Sequence, residues 1–436
     1  MSEITITAPV VSSAVPAAHE TPTRPVSLGF QLGLSAANVA FYLSFYPVIQ
    51  LLIPTQVTAF DPANAATNLA LVGTVGALAA LVGNPLAGAL SDRTTSRFGR
   101  RKPWLVAGLV VTLAAMALMA NAPGIGILAL AWAVQQFFAN TMIAALTAII
   151  PDRVPEKQRG TVSGVVGLAL PLGIIIGAIL VGSVIAEVST GYYALMTLMV
   201  VTAGLFVTGL RDAQLPVEAR PPFRLRNFLA GFWVSPRRYP DFGLAWITRF
   251  LVILGYSLGT GSFTFLYLEN IVHYTSLFPG HAVKEGAATL SLISTLILLP
   301  TTVIFGIISD KVGRRKIFVI GATVVIALGL ALLAVSPSWE TVQLASAVIG
   351  FGFGAYLSVD VALITQVLPS AASRGKDLGV INIANTLPPT VAPIIGAIII
   401  NTFGAANFGA YVVLFITGAV ITLLGAVLVR PIKSVR

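Results

Sequence analysis

Two ionisable side chains interrupt long apolar runs: Arg249 in AWITRFLVILGY and Asp360 in GFGFGAYLSVDVALITQ. A charge surrounded by hydrocarbon costs several kcal/mol unless it faces a partner or a watery cavity. The two are therefore expected to form an ion pair. A carboxylate so placed can also take up and release a proton, which a guanidinium does not do. Two roles stay open for the pair: a contact that a solute or proton breaks during a working cycle, or a permanent lock between two helices. The other polar groups of the apolar runs are the amides Gln31, Asn38, Gln135, Gln136, Asn140, Gln366, Asn382 and Asn385, accompanied by Tyr42, Tyr46, Trp132, Trp246, Tyr256 and Tyr356. Amides donate to and accept from hydroxyls, and rings pack on sugar faces, so this set suits an uncharged, hydroxyl-rich solute. Each amide by itself is more often a hydrogen bond between helices than a solute contact. His19, His273 and His281 have no metal-ligand spacing, and the apolar runs hold no nucleophile–base set. The expectation is a protein that is no enzyme and needs no metal or cofactor.

The elements that must position these groups follow from composition. Of 436 residues, 56% are hydrophobic and only 10% charged, against about a quarter charged in soluble domains. Lipid must cover most of the surface. A helix needs about 20 apolar residues to cross a bilayer, and that criterion predicts spans near 27–53, 66–90, 103–121, 124–150, 160–186, 190–210, 242–269, 286–308, 317–336, 341–367, 377–402 and 407–429. The fold class is all-α: a polytopic membrane protein of twelve transmembrane helices. With a cytoplasmic N-terminus, 24 of the 26 Lys and Arg residues fall in inner loops and tails, the distribution expected of the positive-inside rule. Both termini are then cytoplasmic, and the plasma membrane is the expected location. The net charge of +10 is explained by this orientation, without nucleic acid as a partner. The first 25 residues lack a basic segment followed by an apolar core, so they read as a disordered tail and no cleaved leader.

The chain repeats itself. SDRTTSRFGRRKPW at 91–104 is echoed by SDKVGRRK at 309–316, and Asp310 follows Asp92 by 218 residues, half the chain length. PEKQRG at 155–160 is echoed by PSAASRG at 369–375, and IIIGAIL at 174–180 by PIIGAIII at 393–400. Two six-helix halves related by a pseudo-two-fold axis, with a cavity between them near the midplane, suit alternating access. The divisions are a tail at 1–25, a first half at 26–210, a linker at 211–240, a second half at 241–430 and a tail at 431–436. FRLRNFLAGFWV (223–234) in the linker suggests an amphipathic surface helix.

The loop residues Gly88, Asp92, Arg93, Gly99, Arg100 and Arg101, with their second copy Gly306, Asp310, Lys311, Gly313, Arg314 and Arg315, resemble the signature loop of the major facilitator superfamily. The resemblance spans essentially residues 26–430, and the expanded first loop looks like the sucrose-transporter and glycoside–cation symporter branch. It implies that Asp92 and Asp310 hold inner helix ends together in one conformation, that the neighbouring glycines allow close helix approach, and that Arg159 and Arg374 belong to the same gating set. It also implies that the first, fourth, seventh and tenth helices line the cavity, which brings Arg249 and Asp360 near the pathway. The function so implied is secondary active transport of a sugar or glycoside, coupled to protons, by a monomer whose partners are the solute, protons and the bilayer. Two features depart from the branch: the first half carries no intramembrane acid, and its fourth span has no Arg. The rival expectation is a proton-coupled exporter of drugs or other amphipathic compounds. Against it, the fifth span, GLALPLGIIIGAIL, lacks the Gly-Pro of such exporters.

Overall fold

The computed structural model describes residues 22–220, 237–367 and 374–432. The suggested surface helix at 223–234, most of both tails, and the side chains of Gln366, Arg374 and Asn382 lie outside the described residues. Among the described residues, twelve helices are long and apolar enough to cross a membrane, and there is no strand. They are α1 (Leu28–Phe60), α2 (Pro62–Ser91), α3 (Lys102–Ala120), α4 (Ile125–Arg153), α5 (Glu156–Val184) and α6 (Val188–Gly209) in the first half. The second half has α7 (Pro240–Asn270), α8 (Val283–Val312), α9 (Arg315–Val335), α10 (Trp339–Val367), α11 (Arg374–Phe403) and α12 (Phe408–Val429).

Every expected span finds a helix, and the main difference is length. α1 runs seven residues beyond the expected end because a π turn at Val48–Leu52 absorbs the irregularity without ending the helix. It stops at Phe60, where Asp61 and Pro62 begin a new turn: the Asp61 carboxylate accepts from the Asn64 backbone nitrogen at 3.2 Å. Asn64 and Asn68 hold that carboxyl below the usual range. α8 ends on Gly313, whose φ of 68° closes the last turn in the left-handed region.

Glycines decide how the helices stack. In GFGFG a methyl at Gly354 would lie 2.6 Å from the Leu298 carbonyl oxygen of α8, and one at Gly352 would lie 2.8 Å from the Ile326 nitrogen of α9. Alternate faces of α10 are thus pressed against α8 and α9. The first half repeats this arrangement: Gly83 of α2 and Gly108 of α3 lie against Phe137, Phe138 and Met142 of α4. The loop glycines behave otherwise. A methyl at Gly88 meets nothing within 4 Å, and one at Gly306 meets only Ser358 at 3.8 Å. The close approach expected there is therefore absent in this conformation.

The halves are fastened at the end opposite the basic loops. Hydrogen bonds that cross between them, among the described residues, run from Asn401 to Thr67 (2.8 Å), Thr74 to the Thr390 carbonyl (3.4 Å), Ser262 to the Ile49 carbonyl (3.2 Å) and Ser291 to Gln50 (3.0 Å). The strongest member was unexpected. Lys284, just before the expected span 286–308, lies in the first turn of α8 with 3% of its surface exposed. Its ammonium donates to the Ile185 and Ala186 carbonyls at 2.6 Å each, satisfying carbonyls orphaned where α5 ends. Gly182 leaves room for Ala288 beside it.

Two outcomes follow. Gly354→Val is expected to destabilise the protein by about 1–3 kcal/mol, read as a lower thermal midpoint, whereas Gly88→Ala leaves the midpoint unchanged. Lys284→Met removes two charge-assisted bonds worth about 1.5–3 kcal/mol each from the closed end only. Spin labels on Ala63→Cys and Ala406→Cys, specific because the chain has no cysteine, should then report a larger population of long distances at that end. An unaltered distance distribution refutes the latch.

Candidate functional site

Arg249 sits nine residues into α7 and Asp360 seven residues before the end of α10, so antiparallel helices bring them to similar depth. They are in contact: Arg249 Nη1 pairs with Asp360 Oδ2. The other carboxylate oxygen accepts from the Tyr356 hydroxyl at 3.0 Å, and Arg249 Nε donates to Asn385 Oδ1 of α11 at 2.5 Å. Asp360 is 2% exposed and Arg249 8%, while Asn385 is half-buried. The cluster joins three helices, and every oxygen of the carboxylate has a partner. Removing the proton acceptor would leave a buried guanidinium uncompensated.

Aromatic rings gather nearby. Trp246 stacks on Phe250 with centroids 5.6 Å apart, and its indole nitrogen donates to the Val380 carbonyl at 2.8 Å. Tyr256 of α7 stacks on Phe353 of α10 at 3.8 Å. From the first half, the Tyr42 and Tyr46 rings of α1 lie 6.2 Å from each other, and Tyr46 is near Tyr256. Tyr42, Tyr46, Trp246 and Tyr256 are all half-buried.

The amides of the first half go elsewhere. Gln135 is fully buried and donates to the Ser44 carbonyl of α1 at 2.8 Å; Gln136 donates to Gln135, and Asn140 to the Gln136 carbonyl. Asn38 donates to the Leu34 carbonyl at 2.8 Å and Gln31 to that of Val26 at 3.5 Å. Trp132 is 1% exposed and packs beneath Phe45. In this conformation these six side chains meet protein, and each of the five amides takes a nearby acceptor, as buried polar groups do.

The basic loop is a polar lock within the first half. Arg101, 4% exposed, reaches Asp92 at 2.5 Å, Asp152 at 2.8 Å and the Ser91 hydroxyl at 2.5 Å. Arg100 also pairs with Asp152. Burial pulls the Arg101 guanidinium down, and the carboxylates of Asp152 and Asp92 outweigh it, so it stays above its ordinary value. The Asp212 carboxylate accepts from the backbone nitrogens of Arg101 (2.5 Å) and Lys102 (2.9 Å), capping α3. Gly99, at φ 100°, lies against Asp212 where a side chain would not fit. Thr94, among the extra residues of this loop, accepts from the Trp104 indole at 2.8 Å. Arg93 is half-buried in the same loop.

In the second copy, Arg315 reaches Asp310 at 3.2 Å, Gly313 turns the chain, and Lys311 and Arg314 are exposed. Arg159 binds the Val154 and Pro151 carbonyls at the end of α4. Asp152 and Asp212 were missed from sequence, although each adjoins an arginine at a helix end; Lys284 was missed because its helix starts earlier than hydropathy suggests.

Comparison with known proteins supplies the family. The profile of the Major Facilitator Superfamily matches residues 28–298 and 281–435. The human protein named Solute carrier family 67 member A1 is 24% identical over 340 residues, covering 76% of this chain and 77% of its own. The Bacillus subtilis (strain 168) uncharacterized MFS-type transporter YwfA is 26% identical over 409 residues, covering 92% and 90%. Among solved structures, a mutant of the nucleoside transporter NupG superposes with a TM-score of 0.73 at 14% identity, covering 91% of this chain and 98% of its own. The human organic anion transporter MFSD10 (TETRAN) does so at 0.63 and 19%, covering 92% and 98%. With twelve membrane-length helices and this match along nearly its whole length, the chain belongs to the major facilitator superfamily of membrane transporters.

Proposed function

We propose that this carrier moves a small polar solute of the sugar or glycoside kind across the plasma membrane by alternating access, with Asp360 as the site of a coupling proton. The single observation that carries the reading is the buried Arg249–Asp360 pair, set among aromatic rings and joined to Asn385 and Tyr356. Protonation of Asp360 neutralises it and loosens the tie between α7 and α10. Arg249 then keeps Asn385 and needs a further acceptor, which the oxygens of a solute supply. A proton and a solute are so linked through one guanidinium. The stacked rings of Trp246, Phe250, Tyr256 and Phe353 offer flat faces to a sugar ring or aglycone. Because the amides of the first half already have protein partners, Gln135 across to α1 and the others within their own segments, the reading assigns solute contacts to the second half and the tyrosines of α1.

Fastening at the end opposite the basic loops supports a cavity that faces the basic end, hence the cytoplasm under the positive-inside orientation. The rings also favour a second reading, export of amphipathic compounds, since they bind apolar faces as readily as sugar faces.

In proteoliposomes, Asp360→Asn is expected to abolish the pH-gradient dependence of uptake while solute exchange persists. Asp360→Leu and Arg249→Met should each destabilise by about 3–5 kcal/mol, and the double variant should recover most of that stability without transport. Unchanged gradient dependence in Asp360→Asn removes the proton role and leaves a structural lock. A thermal-shift screen of sugars, glycosides, amino acids and cationic drugs separates the two solute readings: stabilisation by hydrophobic cations and none by sugars selects the exporter.

A further inference from the structure

A concavity lies on the lipid-facing side of the first half. It runs between α1 and α6 and encloses about 630 Å³. Gly29, Gly33 and Ala36 of α1 form its floor, and Val201, Leu205 and Phe206 of α6 its wall. Leu32 and Leu205 on its lips are 55% and 70% exposed, so it opens toward lipid. From Val201 to Arg211 the groove extends ten residues, about 15 Å along a helix. That is the depth of one leaflet of a hydrocarbon core about 30 Å thick.

Its end at the basic side carries two guanidiniums, Arg153 and Arg211. Arg153 donates to the Arg211 carbonyl and lies 5.8 Å over the Phe30 ring. The adjacent carboxylates are turned away: Asp152 is held by Arg100 and Arg101, and Asp212 caps α3. Among the described residues no carboxylate pairs with Arg153 or Arg211. An apolar trough one leaflet deep that ends in two unneutralised cations is complementary to a molecule with one long chain and an anionic head.

We propose that this groove is a binding site for an anionic phospholipid, one acyl chain lying between α1 and α6 and the phosphate on Arg153 and Arg211. By filling the crevice beside α1, the lipid would brace the first half at the end where its polar lock sits. The site is independent of the solute and of Asp360.

The test uses full-length protein, delipidated in detergent and titrated with phosphatidylglycerol, phosphatidylcholine or inorganic phosphate. Thermal midpoints are read, and retained lipid is counted by native mass spectrometry. Phosphatidylglycerol should raise the midpoint and leave one molecule bound, while the other two do neither. Arg211→Gln should weaken its apparent affinity about fivefold, the effect of one arginine near an anionic headgroup. Gly209→Leu, whose added carbon meets open space in the groove, should prevent retention. Arg430→Gln, exposed at the end of α12 in the other half, should change nothing. Equal stabilisation by phosphatidylcholine or by phosphate overturns the proposal, as does unaltered retention in Arg211→Gln, which decides alone if Gly209→Leu fails to fold.

Discussion

Hydrocarbon offers no hydrogen-bond partner to a backbone amide and no counter-ion to a charge, and every main feature of this protein answers that constraint. The backbone closes its bonds inside twelve helices. The one guanidinium and one carboxylate at depth, among the described residues, meet each other and occupy their remaining groups with Asn385 and Tyr356. Because neither charge tolerates isolation, α7, α10 and α11 are joined at one point. Whatever changes the charge at that point changes the freedom of three helices at once.

The two halves share a plan and differ in where their polarity lies. The first half ties α4 to α1 through Gln135, turns its other amides onto neighbouring groups of their own segments, and closes its basic end with Arg101, Asp92, Asp152 and Asp212. Its second-half counterpart pairs Asp310 with Arg315 and holds its buried charges nearer the middle. This division suits a rigid first half against which a second half, carrying the ionisable pair, rearranges. The latch between them is assembled from Lys284 and a few hydroxyls and amides at one end. Close apolar contacts run beside these bonds: Gly73 lies against Pro393 and Gly182 against Ala288.

Much of the fold was legible because hydropathy is a local property. A run of twenty apolar residues needs no knowledge of its neighbours to be a span, and the basic loops mark one side of the membrane for the same reason. The duplicated loop revealed the two halves, and GFGFG announced close packing. The pairing of Arg249 with Asp360 was legible because expulsion of lone charges from lipid leaves two charges few choices. The amides were not, since an amide has no sign: Gln135 is equally suited to a sugar hydroxyl and to the Ser44 carbonyl, and only proximity chooses.

The amino-acid sequence by itself determined the twelve helices, the internal repeat, the family likeness and the presence of two charges that had to be reconciled. Tertiary structure alone decided which carbonyls captured the amides, that Asp152 and Asp212 complete the basic lock, and that Lys284 ties α8 to the end of α5. The reason is physical: burial from lipid acts on each segment separately, whereas a hydrogen bond is fixed only when two distant segments arrive within about 3 Å.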